Sequence, residues 1–279
     1  DYRYAFQGQF AEQDEETGWN AFDQRSIDPR VGRWMTIDPY REFHSPYLAF
    51  GYRPLQSPDP TGGQTDNDYF IQSDGTIMMA KTDDAFDRFY FQSSTGHLTF
   101  IGQFDKNSNG LIQLTDYSFT DLDFGVSFTF EVKDGNEYRS YMSGAALAAF
   151  FGVMGTVNFH DVTVVGFSKN DGSSPKPSTS HINGRNGDFR YLRKDKTGNP
   201  LYINSDPTEL DETRQNQFND ALNKYGRKSL KSYYYYINKQ KRLLNHSDHL
   251  KNHHHHLHIQ GFKPNIIRYE VCNTECSGN

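Results

Sequence analysis

The sequence predicts an α+β protein in which short strands dominate, two helices interrupt them, and an all-β segment precedes a small antiparallel sheet. Three observations lead there. Aromatic residues make up 15% of the 279-residue chain, with 18 Tyr and 22 Phe, and many fall in polar alternating stretches suited to strands with one half-solvated face. Asp-Pro pairs and Gly/Asn/Asp clusters punctuate those stretches as turns. Only two segments, 142–157 and 210–225, read as helices.

Residues 1–63 are dense in aromatics, Gly and Asp-Pro: Ile-Asp-Pro stands at 27–29 and again at 37–39, and Pro-Asp-Pro at 58–60. Proline fixes φ and restricts the residue before it, so each Asp-Pro should be a turn or strand edge, with short strands between. A shift to Gly, Gln, Thr, Asn and Asp at 62–68 marks a boundary. Residues 64–140 form a β-rich second region, with strands expected at Tyr69–Gln72, His97–Phe104, Leu111–Phe119 and Val126–Val132. The stretch Asp105–Ile112 resembles half of an EF-hand loop, but Asp116 stands where a bidentate Glu belongs and strands flank it, so a hairpin turn is expected. From 141 to 279 the order is a buried helix over Met142–Val157, a core strand over His160–Phe167, and a Ser/Pro loop over Ser173–Ser180. An amphipathic helix follows over Leu210–Tyr225, with Phe218, Leu222 and Tyr225 at helical spacing. Strands are expected at Ser232–Ile237, Leu257–Phe262 and Ile266–Val271.

The bulk numbers exclude some functions. A net charge of −6 and a pI near 6.0 provide no basic stripe to track a phosphate backbone, so nucleic acid is not an expected partner. The longest apolar run, Ala145–Val157, is short of the roughly 20 residues that span a bilayer, so no membrane span is expected. No secretory leader is visible, and a chain that starts at Asp1 without Met reads as a piece of something larger. Cys272 and Cys276, four apart, can form a local disulfide or stay free, and a disulfide framework is excluded.

Chemistry concentrates in two places. Ser180-His181-Ile182-Asn183-Gly184-Arg185-Asn186-Gly187-Asp188 sets a His seven residues before an Asp, and His253-His254-His255-His256-Leu257-His258 comes much later. A catalytic zinc takes three protein ligands of N and O type and leaves a fourth position for water. Two ligands on a turn-rich segment and one on a distant strand would build that site. Residues two apart on a strand share a face, so His256 and His258 should point the same way, one to the metal and one beside its water.

Both halves resemble the metallopeptidases grouped with murein endopeptidases, D-Ala-D-Ala peptidases and the hedgehog zinc domain, whose pattern is S-H-x-x-G-x-x-x-D followed by H-x-H. The resemblance covers about 110 residues and implies Zn2+ held by His181, Asp188 and His258. It also implies that His256 acts beside the zinc-bound water and that His253 matches a further active-site histidine. Some members carry a catalytic Glu where this chain has His256. The implied substrate is peptidoglycan peptide, cut as a cross-link endopeptidase or D,D-carboxypeptidase.

The start of the chain resembles a different family. Tyr2-Arg3-Tyr4-Ala5-Phe6, Glu16-Thr17-Gly18-Trp19, Arg25-Ser26-Ile27-Asp28-Pro29-Arg30-Val31-Gly32-Arg33-Trp34 and Ile37-Asp38-Pro39 resemble the core-associated end of Rhs/YD-repeat proteins, which closes a β-cocoon shell around a variable toxin. Some members cut themselves after this segment with an aspartic-type site, onto which Arg25, Asp38 and Asp59 match. The Asp38–Asp59 gap is shorter than in that pattern, and Thr61-Gly62-Gly63 lacks the leucine after the glycine. Together the resemblances imply a secreted antibacterial effector acting in the periplasm of target bacteria. Its partners would be its own shell, a cognate immunity protein and a secretion apparatus. Two rivals stand beside it. A metal-dependent nuclease is opposed by the acidic pI, and a non-catalytic shell or binding module with a vestigial zinc site would bind zinc without turnover.

Overall fold

The structure, a computed structural model, describes residues 12–14, 16–21, 25–37, 47, 49, 67–81, 86–121, 124–131 and 139–269. Near the start, a four-stranded antiparallel meander runs through β1 (Glu12–Gln13), β2 (Asn20–Ala21), β3 (Ser26–Asp28) and β4 (Arg33–Trp34). Asp28-Pro29 is the turn that an Asp-Pro pair should make. The Asp28 carbonyl accepts from the Gly32 amide at 2.9 Å, and Arg30 holds its carboxylate at 2.7 Å. Asp38-Pro39 and Asp59-Pro60 lie outside the described residues, as do Cys272 and Cys276.

Alternation builds the next sheet from β5 (Asn67–Gln72), β6 (Thr76–Lys81), β7 (Phe86–Gln92) and β8 (Leu98–Asp105). Tyr69, Ile71, Ile77, Met79, Phe89, Phe91 and Ile101 turn inward and are buried, while their neighbours along each strand, Ala80 excepted, are less so. The fifth strand comes from the far end of the chain, Asn265–Tyr269, which pairs in parallel with β6. Asp105–Ile112 is a turn: the Asn107 side chain accepts from the amides of Asn109 and Leu111 at 2.9 and 3.0 Å. The single strand expected over Leu111–Phe119 is two, β9 (Leu111–Gln113) and β10 (Tyr117–Asp121), which belong to different sheets. Asp116 fixes the corner between them by accepting from the Phe130 amide at 2.7 Å.

After β11 (Phe124–Phe130) and β12 (Tyr141–Ser143), helix α1 (Gly144–Val157) begins where the Ser143 hydroxyl accepts from the Ala146 amide. It ends at Asn158, which takes a left-handed conformation and donates to the Met154 carbonyl at 2.8 Å. The helix is apolar all round, so it sits inside the molecule. The remaining elements are β13 (Val162–Gly166), β14 (Gly187–Phe189), α2 (Glu212–Lys224), β15 (Arg227–Ser232), the hairpin β16 (Tyr235–Ile237) and β17 (Gln240–Arg242), then β18 (Ser247–His249), β19 (Leu257–Phe262) and β20 (Asn265–Tyr269). Phe218, Leu222 and Tyr225, read as the apolar stripe of α2, are all buried.

The α+β class is as expected, but the sheet that carries the histidines is neither small nor wholly antiparallel. Its order is β10-β11-β13-β14-β19-β15-β18. The centre, β13-β14-β19-β15, is antiparallel, whereas β11 joins β13 and β18 joins β15 in parallel. Two of its strands precede residue 140, and β20 from beyond 141 completes the other sheet, so the elements cross the boundary drawn there from composition. One apolar core runs from Tyr69 to Ile259. Rings carry it through the layers: Phe89 meets Phe151 of α1 at 5.2 Å, Phe150 meets Phe189 of β14 at 5.2 Å, and Phe189 meets Phe218 of α2 at 5.4 Å.

A close contact between the helices yields a test. A Cβ at Gly152 would lie 2.3 Å from the Tyr225 ring, whose hydroxyl donates to the Gln72 carbonyl at 2.9 Å. Gly152→Ala gains about 1 kcal/mol of helix propensity but forces an overpacking cost of about 1–3 kcal/mol. Thermal unfolding is expected to move down by several degrees. An unchanged or raised midpoint would mean that Tyr225 yields freely.

Candidate metal centre

Strand register brings the first two residues together. β14 and β19 are antiparallel with Asp188 directly opposite His258. Side chains alternate along a strand, so the neighbours Phe189, Leu257 and Ile259 enter the core while Asp188 and His258 share the other face. His181 arrives from the loop before β14, and that loop depends on its glycines. Gly184 has φ +62°, and a Cβ there would lie 2.4 Å from the Ser143 amide nitrogen. A Cβ at Gly187 would lie 2.6 Å from the Gly166 carbonyl oxygen of β13.

The three ligand atoms form a near-triangle. His258 Nδ1 is 2.8 Å from Asp188 Oδ1, His181 Nε2 is 3.3 Å from the same oxygen, and the two imidazole nitrogens are 3.2 Å apart. A tetrahedral zinc with bonds of about 2.0–2.1 Å needs edges of about 3.3 Å, so the spacing suits such an ion. The donor set suits it as well. His181 Nδ1–H donates to the Phe167 carbonyl at 3.2 Å, which leaves Nε2 as a lone pair facing Asp188. Ser180 Oγ lies 3.2 Å from His258 Nε2 and accepts its proton in the tautomer whose Nδ1 is free for a metal. Two lone pairs and a carboxylate then converge with nothing but a proton or a cation to separate them. Where a proton and not a cation fills that place, the hydrogen bonds that His181 and His258 then donate, with the proximity of His256, outweigh burial, which alone would raise the Asp188 carboxyl, and hold it far below the usual carboxylate range. Among the described residues, His181, Asp188 and His258 are the group whose ligand atoms could hold a metal ion.

His256 and His253, both singled out in the sequence, stand beside this triangle. His256 Nε2 lies 3.6 Å from Asp188 Oδ1, on the same face as His258. His253 packs 4.6 Å from the His256 ring and 5.6 Å from the His258 ring. Burial lowers the pKa of both, and pushes His256 down to about 3, so its imidazole is neutral. The group floors an open cleft of about 670 Å³ lined also by Pro177–Ser180, by Leu250–His253 and by His255.

The four-histidine run is an ordered loop, not a tail. Three successive carbonyls are each taken by a donor: Tyr191 Oη to His253 at 2.6 Å, the Ile203 amide to His254 at 2.9 Å, and Arg190 Nη1 to His255 at 3.1 Å. Arg190 in turn makes a paired bond to Glu131 at 2.6 and 2.8 Å. Ser180, Tyr191, Arg190 and Glu131 were not assigned roles from sequence. Ser180 and the Arg190-Tyr191 pair at least flank the motif, but nothing local in the sequence marks Glu131.

The expected self-cleavage residues are only partly visible. Arg25 is buried with its guanidinium 4.1 Å over the Trp34 ring, and Asp38 and Asp59 lie outside the described residues. No described helix is long and apolar enough to cross a membrane.

No family model and no solved structure matches this chain. A stretch of 61 residues, 22% of the chain, is 40% identical to salivary gland surface protein 1 of Aedes aegypti. The stretch spans 2% of that protein's length.

Zinc titration tests the geometry. One ion per chain is expected, with His181→Ala and His258→Ala each abolishing it and Ser180→Ala weakening affinity by about 10–100-fold. Undiminished zinc stoichiometry in His181→Ala would remove the triangle as the metal site.

Proposed function

We propose that this chain is the end of an Rhs-type polymorphic toxin whose tip is a zinc metallopeptidase. It hydrolyses peptide (amide) bonds of peptidoglycan, as a cross-link endopeptidase or D,D-carboxypeptidase, in the periplasm of a target bacterium. One observation supports the chemistry above all. His181 Nε2, Asp188 Oδ1 and His258 Nδ1 converge within 2.8–3.3 Å on the floor of an open cleft, with a further histidine beside them. The toxin context is supported by the Rhs-like motifs of residues 1–63, and brings with it the shell, an immunity protein and a secretion apparatus as partners.

Zinc, when bound, polarises the scissile carbonyl and lowers the pKa of its water toward neutrality. The chain's own groups do the rest. Asp188 supplies the negative charge that balances the cation, while the bonds of the outward ring nitrogens to Phe167 and Ser180 orient the two imidazoles with their other nitrogens toward it. His256 is kept neutral by burial, so any proton it accepts is passed on, not stored. Its more durable contribution is an N–H aimed at the developing oxyanion in a site partly closed to water. His253 packs on that ring and limits its rotation.

Digestion of cross-linked peptidoglycan, with the fragments separated by mass, tests this reading. Wild type is expected either to convert cross-linked dimers to monomers or to shorten peptide stems by a terminal residue, and chelated protein and His181→Ala to do neither. His256→Ala should retain zinc yet lose about 10²–10⁴-fold in kcat. Stems neither unlinked nor shortened by zinc-loaded wild type would sink the peptidoglycan reading.

A further inference from the structure

A row of rings adjoins the cleft on the other side of the histidine loop. Tyr236 meets Tyr234 at 5.8 Å, Tyr234 meets Tyr233 at 4.6 Å, Tyr233 meets His254 at 5.9 Å, and His254 meets Tyr202 at 5.6 Å. The row closes on the cleft, because Tyr202 stacks on His255 at 5.8 Å and 28°, and His255 lines the cleft wall with Leu250 and Lys251. The two ends of the row stay exposed, Tyr202 at 48% and Tyr236 at 51%, while Tyr233, Tyr234 and His254 between them are half-buried. A lone exposed tyrosine is ordinary, but a connected row beside a cleft leaves contiguous apolar surface in water, which is the mark of a binding surface.

We infer that this row is a stacking platform for the sugar strand to which the scissile peptide is attached. The inference rests on the peptidoglycan reading of the adjoining cleft. The face of an aromatic ring is electron-rich, and one face of a pyranose presents weakly positive C–H bonds, so the two pack flat on each other. Tyr234 already carries the Lys241 ammonium 4.2 Å over its ring and Tyr233 stacked at 4.6 Å, so the faces left for a sugar are those of the exposed ends, Tyr202 and Tyr236. Tyrosine hydroxyls, Lys241 and Lys251 supply hydrogen bonds for the sugar edge. Tyr also brings contact area at low entropic cost, having few rotatable bonds. A nucleic acid would stack on rings as well, but it demands phosphate neutralisation from a chain whose net charge is −6. On the peptidoglycan reading, a ligand that covers row and cleft at once joins a sugar to a peptide.

Co-sedimentation with bead-immobilised peptidoglycan glycan strands stripped of their peptides is the test. Zinc-loaded and chelated wild type are both expected to pellet, because the platform does not use the metal. The double variant Tyr202→Ala, Tyr236→Ala, checked for an unchanged thermal midpoint, should lose at least tenfold in apparent affinity. Wild type left in the supernatant, equal pelleting of the double variant, or preferential capture of single-stranded DNA would each overturn the platform. Pelleting without hydrolysis of any peptide would instead leave the platform standing and remove the peptidase reading.

Discussion

The register of one strand pair governs this molecule. Asp188 opposite His258 fixes a carboxylate and an imidazole on the same face of the sheet, 2.8 Å apart. The same register sends Phe189, Leu257 and Ile259 into the core on the opposite face, each buried to 1% exposure or less. Burying such side chains contributes roughly 1.5–3 kcal/mol apiece, so a slip by one residue would expose three core groups and bury the two ligands. Packing therefore holds the site in register, and the chemistry need not stabilise its own geometry.

That separation matters because the site is electrostatically awkward. A carboxylate and two imidazole lone pairs converge in a largely enclosed place, and burial disfavours charge on the surrounding histidines. The arrangement is tolerable only because each ring is held from behind, His181 by the Phe167 carbonyl and His258 by the Ser180 hydroxyl. The histidine loop is restrained in the same manner through its carbonyls, and the His253 ring is held further by donating from Nδ1 to the Lys251 carbonyl at 3.1 Å. Four consecutive histidines read as composition; the bonded loop gives them different surroundings, His253 and His256 at the metal triangle and His254 and His255 against Tyr202.

What was legible in the sequence was local. The candidate triad stood out because its residues lie in two short motifs with fixed spacing, and the place of His256 beside it followed from two-residue alternation. Helix α2 was visible from one apolar stripe, although Gln215 and Asn219 on its buried side were not, because their worth depends on distant partners, the Leu192 amide and the Asn245 carbonyl. The extent of the main sheet was hidden for a similar reason. A parallel pair such as β11 with β13 joins segments that flank a buried helix, and alternation within either strand says nothing about its neighbour. The break in the strand expected over Leu111–Phe119 turns on one side chain, Asp116, reaching the amide of Phe130.

The segment before residue 140 showed no chemistry of its own, yet the site leans on it. Glu131 follows β11 and binds the Arg190 guanidinium through both oxygens, and Arg190 holds the His255 carbonyl. Both partners of that ion pair are largely buried, so losing either carboxylate or guanidinium leaves an uncompensated charge at a cost of about 3–5 kcal/mol. The strands β10 and β11 that carry Glu131 also wall α1, through Phe128 against Phe150, and Phe150 touches Phe189 beside the Asp188 ligand. A unit cut at residue 140 would keep every candidate ligand and lose the support that holds the histidine loop over them. The minimal functional piece is thus larger than the motif suggests, because cores and buried charges are shared across the sheet whereas motifs are written along the chain.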